Sequence, residues 1–242
     1  MENHLLHETY KNRLKQYGED LSGIVKTKTM QVTNLRNAVL STVADLVEFR
    51  DGVTGGHIVR TQKYIEIMIG QMLKDGVYAD EVHSWDLDYL LPSAQLHDVG
   101  KIAVSDTILN KPGSLTPEEF EIMKGHVPVG VKVIRKIEDN ADENAFLKHA
   151  RLIAGSHHEK WDGSGYPVGL KGEDIPLEGR LMAISDVYDA LISKRPYKNP
   201  FSTDEARRIV EGESGKSFDP TLIAVFIKVA DQFAGIVRNE IL

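Results

Sequence analysis

Between Glu8 and Phe49 the chain carries no proline, and its only glycines there are Gly18 and Gly23. Large residues recur at three- and four-residue steps: Tyr10, Leu14, Tyr17, Leu21, Ile24, then Leu35 and Ala38. A stretch so free of breakers and so patterned predicts one long amphipathic helix. Val25, Val32, Val39 and Leu46 widen the stripe at seven-residue spacing, while Lys28 and Gln31 fall on the seam and weaken it. That spacing predicts a parallel two-stranded coil joining two copies, because single polar residues are normal at such a seam. The alternative is a helix packed on its own domain.

The remainder also reads helical. Asp51-Gly52 and Thr54-Gly55-Gly56 break the chain before a second helix, whose apolar face is Ile58, Ile65, Met68, Ile69 and Met72 and which closes at Asp75-Gly76. A third runs from about Asp86 to His97 with a kink at Pro92. Thr116 and Pro117 make a good helix start, and further helices fall near 117–124, 126–138, 143–158, 180–193, 203–212 and 219–238. Strand signals are scarce; Ile102-Ala103-Val104 and the 166–177 loop form at most a short hairpin. The predicted class is all-α: a helical bundle over 46–242 preceded by a helical linker over 1–45.

Composition narrows the function. The formal charge of −7 argues against a general nucleic-acid binder. An anionic substrate then needs local cations, either metals or a few placed Lys and Arg. The absence of cysteine excludes disulfides and fits a reducing compartment. No apolar run approaches the roughly eighteen residues that span a bilayer, and the start lacks a secretory pattern. The expectation is a soluble cytoplasmic protein with neither membrane nor nucleic acid as partner.

The chemistry concentrates in two strings, His97-Asp98-Val99-Gly100-Lys101 and His157-His158-Glu159-Lys160-Trp161-Asp162-Gly163-Ser164-Gly165-Tyr166-Pro167. His57, His126 and Asp186 accompany them, and Asp186 sits among the apolar Leu181, Ala183, Ile184, Val187 and Leu191, where its charge needs neutralising. Imidazole and carboxylate without thiolate suit iron, manganese or zinc. His4, His7, His83 and His149 lack such company and read as structural or exposed. Glu159 and Asp162 read equally as orienting partners of an imidazole or as loop carboxylates, and Trp85 and Trp161 as packing residues.

His-Asp followed by Gly-Lys, His-His-Glu-x-x-Asp-Gly-x-Gly-Tyr-Pro, Asp186-x-x-Asp189-Ala-Leu and Arg195-Pro-Tyr-Lys198 together closely resemble the HD-GYP subgroup of the HD hydrolase superfamily. The resemblance runs from about Leu46 to the end, through Leu109-Asn110-Lys111-Pro112-Gly113 and Phe218-Asp219-Pro220. It implies a phosphodiesterase that opens cyclic di-GMP, a bacterial second messenger, to linear pGpG and often on to GMP. Some members take cyclic GMP-AMP instead, and a signalling module working through protein partners is the reading from another class. By position, the resemblance implies His57, His97, Asp98, His126, His157, His158 and Asp186 as metal ligands, with Asp98 bridging. Three-metal members carry a glutamate four residues before the first histidine; here that place is Val53, and Asp51 is two further back. The expectation is therefore two divalent ions, iron or manganese, with other divalent metals able to enter a purified sample.

Two such ions would polarise a phosphate oxygen and lower the pKa of water to supply the nucleophile. Asp98 and Lys101 are the catalytic residues on this reading, Lys101 offsetting charge on the phosphate. Arg195, Lys198, Lys101 and Asp189 are implied to hold the rest of the substrate. The 163–167 loop reads as a support for the His157-His158 helix end, and in the family it also meets diguanylate cyclase domains. The N-terminal helix resembles the linker that ties such output domains to a phosphoacceptor receiver in two-component regulators. Nothing in 1–50 resembles a receiver, so the expectation is a fragment or a protein controlled by its partners, dimeric through the coil.

Overall fold

The periodicities become helices in the computed structural model, which describes residues 2–50, 56–139, 144–193 and 199–240. In order these are α1 (Glu2–Arg50), α2 (His57–Asp75), α3 (Ala79–His83), α4 (Leu87–Ser93), α5 (Asp106–Leu109) and α6 (Pro117–Lys124). Then come α7 (His126–Glu138), α8 (Asn144–Ser156), α9 (Leu177–Ile192), α10 (Thr203–Gly212) and α11 (Pro220–Glu240). Their starts follow local chemistry. Thr116 with Glu119 and Ser202 with Glu205 form reciprocal capping boxes that satisfy the first free N–H groups of α6 and α10. The fold is all-α, with no strand among the described residues and one isolated bridge, Ser214 to Phe218.

Three expectations change. The hairpin is absent: 99–103 and 172–174 are 3₁₀ turns, and Lys101 N–H to Asp98 O (2.9 Å) and Val104 N–H to Lys101 O (3.0 Å) satisfy that segment locally. The third helix stops at Ser93, one residue past Pro92, and continues as a 3₁₀ turn over Ala94–Leu96. The expectation of no membrane-length apolar run also fails, because Pro220–Val237 is long and apolar enough at a mean hydropathy of 1.5. Its Leu222, Phe226, Val229 and Phe233 are buried in the core, so the apolarity of α11 is accounted for by packing.

The chain divides into two compact units, Met1–Leu40 and Ser41–Leu242. In the first, the seam residues Tyr10, Leu14, Tyr17 and Leu21 are 61–70% exposed. The second unit holds the core. α2 packs on α11 and α9, burying Tyr64, Ile65, Met68, Ile69 and Met72. Each such side chain contributes about 1.5–3 kcal/mol on burial. Tyr64 stacks on Phe233 at 4.3 Å and meets Tyr188 edge-on at 5.4 Å.

Two glycines position the chemistry. A Cβ on Gly100 would stand 1.9 Å from the carbonyl oxygen of His126, so only glycine lets the 97–101 string lie against the start of α7. A Cβ on Gly179 would stand 2.0 Å from Ser156 Oγ, and its absence lets α9 close on the end of α8, beside His157.

Candidate metal centre

Five places in the fold converge. His57 opens α2, His97 and Asp98 lie between two 3₁₀ turns, His126 opens α7, His157 and His158 follow α8, and Asp186 sits mid-way along α9. They form two groups, Asp98 with His126, His157 and His158, and His57 with His97 and Asp186, each with ligand atoms within 4.8 Å of one another. Asp98 faces both. Its Oδ1 is 3.3 Å from His126 Nε2 and 3.7 Å from His157 Nε2, while its Oδ2 is 3.4 Å from His97 Nε2 and 2.7 Å from Lys101 Nζ. His57 Nε2 is 3.5 Å from Asp186 Oδ1.

The far side of each ring decides what the near side can do. His97 Nδ1 donates to Ala94 O (2.9 Å), His126 Nδ1 to Met123 O (2.7 Å) and His157 Nδ1 to Ile153 O (3.1 Å). A carbonyl only accepts, so the proton of each neutral ring is on Nδ1 and Nε2 presents a lone pair. His57 Nδ1 is fixed in the same way by Asp189 Oδ2 at 2.8 Å. In the neutral rings, lone pairs therefore point at carboxylate oxygens. Accordingly His97 Nε2, His126 Nε2, His157 Nε2 and Asp98 Oδ1 are all buried without a hydrogen-bond partner. Each such orphan costs about 1–3 kcal/mol unless a cation sits among them. The donor set fits a divalent metal.

Protons compete for the same position. Burial pushes His97 down, but Asp98 and then Asp186 outweigh it and lift the ring to about 9. Burial lowers His126, and burial together with His157 lowers His158 well below the usual range. Asp98 stays ionised against its burial because Lys101 and His97 hold its carboxyl well below the ordinary value.

Other named residues divide. Lys101 lies at the centre, paired with Asp98. Asp189 is a correction to the expectation of a substrate contact: its side chain is fully buried and held by His57 Nδ1, by Arg60 Nε (2.6 Å) and by Ser193 Oγ (3.1 Å). No surface remains for substrate, and its chemistry is to fix His57 from behind. Burial would raise its carboxyl, yet Arg60 and His57 bring it to about 2. Arg195, Lys198, Asp51 and Val53 lie outside the described residues.

Glu159 is a loop anchor, accepting from the N–H groups of Val168, Gly169 and Leu170 at 2.8–3.0 Å. Asp162 caps its own turn through Ser164 N–H. His149 pairs with Glu178 and His83 bonds to Ala79 O. In the 163–167 loop, Tyr166 N–H donates to His158 O, and the Tyr166 ring stacks on the His158 ring at 4.7 Å. Two residues escaped the sequence reading. Arg60 falls on the α2 face one turn after His57, a spacing that could have flagged it. Glu48 lines a cavity with His97, Asp98 and Lys101; burial raises its carboxyl, against His57 and His97, which lower it.

The model of the HD domain matches residues 55–222. A cyclic di-GMP phosphodiesterase of Vibrio cholerae is 42% identical over 238 residues, covering 94% of this chain and 48% of that protein. A 3'3'-cGAMP-specific phosphodiesterase of the same organism is 38% identical over 194 residues, 80% of this chain and 35% of its own length. The chain thus spans about half the length of curated relatives it matches. Among solved structures, an HD-GYP protein from Bdellovibrio bacteriovorus superposes with a TM-score of 0.53 at 16% identity, over 85% of this chain and 63% of its own. With the family model covering 55–222 and the His-Asp and Gly-Tyr-Pro strings both in place, the chain belongs to the HD-domain family, in its HD-GYP branch.

Proposed function

We propose that residues 46–242 hydrolyse cyclic di-GMP to linear pGpG, with His57, His97, Asp98, His126, His157, His158 and Asp186 holding two divalent ions, iron or manganese. The observation that carries this is the set of imidazole Nε2 atoms facing Asp98 and Asp186, those of His97, His126 and His157 buried without a hydrogen-bond partner. When bound, such ions supply Lewis acidity to a phosphate oxygen and lower the pKa of water. The chain does the rest. Asp98 offers one oxygen to each group and ties them together. Main-chain carbonyls and Asp189 accept from Nδ1 of His97, His126, His157 and His57 and so aim each Nε2 at the centre. Lys101 steadies Asp98 and carries a positive charge to the place where negative charge grows on the phosphate. Arg195 and Lys198 are assigned the second phosphate or a guanine, for which a planar guanidinium fork is suited.

Residues 1–45 serve as a helical linker. Their exposed seam suits a second copy of this chain, and upstream a receiver domain; the Gly-Tyr-Pro loop suits a diguanylate cyclase domain, all in the cytoplasm. Cyclic GMP-AMP is the second reading, favoured by the likeness to a cGAMP-specific relative. The test is anaerobic turnover of both dinucleotides after Fe(II) or Mn(II) loading, beside Asp98→Ala. Metal-dependent pGpG that vanishes in the variant supports the reading. Faster loss of cyclic GMP-AMP moves the substrate, and no product from a fully loaded protein overturns hydrolysis altogether.

A further inference from the structure

α6 ends where the centre begins. Met123 O, in its last turn, accepts from His126 Nδ1 at 2.7 Å, and a single residue, Gly125, separates the helix from His126. Phe120 and Lys124 are four positions apart and therefore share one face of α6. That face meets the Gly-Tyr-Pro loop. The Phe120 ring stands edge-on to Tyr166 at 5.9 Å. The Lys124 ammonium lies 5.5 Å from the centre of the Phe120 ring and 5.9 Å from that of Tyr166. Tyr166 in turn stacks on His158, a member of the Asp98 group. A path of rings thus runs outward from the centre to α6.

The outer end of that path is open. Phe120 is 45% exposed, although its ring is large and apolar. Lys124 pairs with Glu121, which is 70% exposed, so water screens the pair and the ammonium is loosely held. Two other cations near the centre are committed, Lys101 to Asp98 and Arg60 to Asp189. Burial raises the Tyr166 hydroxyl above its usual range, and Asp98 and Asp186, one carboxylate from each group, raise it further against Lys101. Tyr166 therefore stays a neutral phenol where both groups are felt. An exposed ring beside a loosely held ammonium suits a nucleotide, because every base has a face that stacks on an aromatic side chain and its phosphate draws a positive charge.

We infer that Phe120 and Lys124 form a base subsite beside the metal centre. While one phosphodiester of a cyclic dinucleotide is at the ions, one of its purines stacks on Phe120, and Lys124 sits against the phosphate attached to it. Tyr166 is the wall between this subsite and His158. The inference rests on the phosphodiesterase reading above and deepens it, by naming where a base is held.

The test is steady-state turnover of cyclic di-GMP by the Mn²⁺-loaded full chain, for wild type, Phe120→Leu, Phe120→Tyr and Lys124→Met. Mn²⁺ uptake by each protein is followed beside it through the resonance of free Mn²⁺. Leucine keeps the apolar bulk without a face for stacking, whereas tyrosine keeps the face. The expected result is that F120L raises KM by about 5–100-fold, with kcat little changed. K124M should raise KM as well, F120Y should stay near wild type, and all four should take up Mn²⁺ alike. Unchanged KM in F120L and K124M overturns the inference. So does a loss of Mn²⁺ uptake that parallels the rise in KM, which assigns the effect to support of His158 through Tyr166. F120Y as impaired as F120L also overturns it, since the ring is then not what the substrate uses. A wild-type chain that loads Mn²⁺ and hydrolyses neither cyclic di-GMP nor cyclic GMP-AMP sinks the phosphodiesterase reading itself, whereas the variant outcomes leave that reading standing.

Discussion

His97, His126 and His157 give their Nδ1 protons to main-chain carbonyls, whereas His57 gives its proton to a side chain, Asp189, which Arg60 holds in turn. The first three acceptors move only if a helix end moves. The fourth can be removed by one substitution that leaves the backbone in place. The His57 side of the centre is therefore the adjustable side, and the His126–His157 side is set by the fold.

The largest effect should come from erasing what the two sides share. Asp98→Ala removes the oxygens facing both groups, so both ions are expected to be lost and turnover to fall below detection. Metal analysis showing two retained ions would break the view that one carboxylate ties the groups together. Gly100→Ala should disturb both sides, because the string it displaces carries Asp98 and His97. Its new Cβ, 1.9 Å from His126 O, forces the 97–101 string and α7 apart. Displacements near 1 Å at such a site cost on the order of 10²-fold in rate. Mn²⁺ should bind more weakly at both groups; unchanged binding would show that α7 yields.

Asp189→Asn probes the adjustable side. Weakening of the His57 ion by about 10–100-fold is expected, with the other ion little changed. Arg60, 7% exposed, loses its counter-charge, so the melting temperature should drop as well. Equal weakening of both ions would erase the distinction between the sides.

Proton competition is the smallest effect. His97 stands at about 9 when metal-free, above its usual 6.5. A raised imidazolium contributes stability that is full below pH 6.5 and lost as pH climbs through 9. Metal must displace that proton, so Mn²⁺ affinity should rise about tenfold per pH unit across the same window. Metal-free melting and Mn²⁺ affinity should therefore move in opposite directions from pH 6.5 to 9. Asp189, at about 2, adds stability present above pH 4 and lost as pH falls towards 2. Parallel trends in melting and affinity above pH 6.5 would remove His97 as the site of competition.

Much of this was legible in one dimension because it is written in local rules. Breaker-free periodicity marks α1, Thr116-Pro117 marks the start of α6, and the apolar face of α2 appears in the spacing of Ile58, Ile65, Met68, Ile69 and Met72. The His and Asp strings stood out because cation-binding residues are rarely grouped without cause. Where the reading failed, a side chain's direction was at issue. Asp189 follows Asp186 by three positions in the same motif, and nothing along the chain says that one faces the centre and the other faces the back of His57. The apolar 102–104 run looked like a strand because its hydrogen bonds close within a turn that spacing does not reveal.

By itself the sequence determined the helical class, the donor types available and, through the absence of thiolate, the kind of metal they suit. Those follow from composition and from periods of three to seven residues. Only the tertiary structure decided which imidazole nitrogen is free, because that depends on carbonyls and carboxylates reached across three dimensions. It alone brought Glu48, separated from His97 by all of α2, to the same cavity, since Arg50 anchors α1 to a loop that no local pattern connects with it.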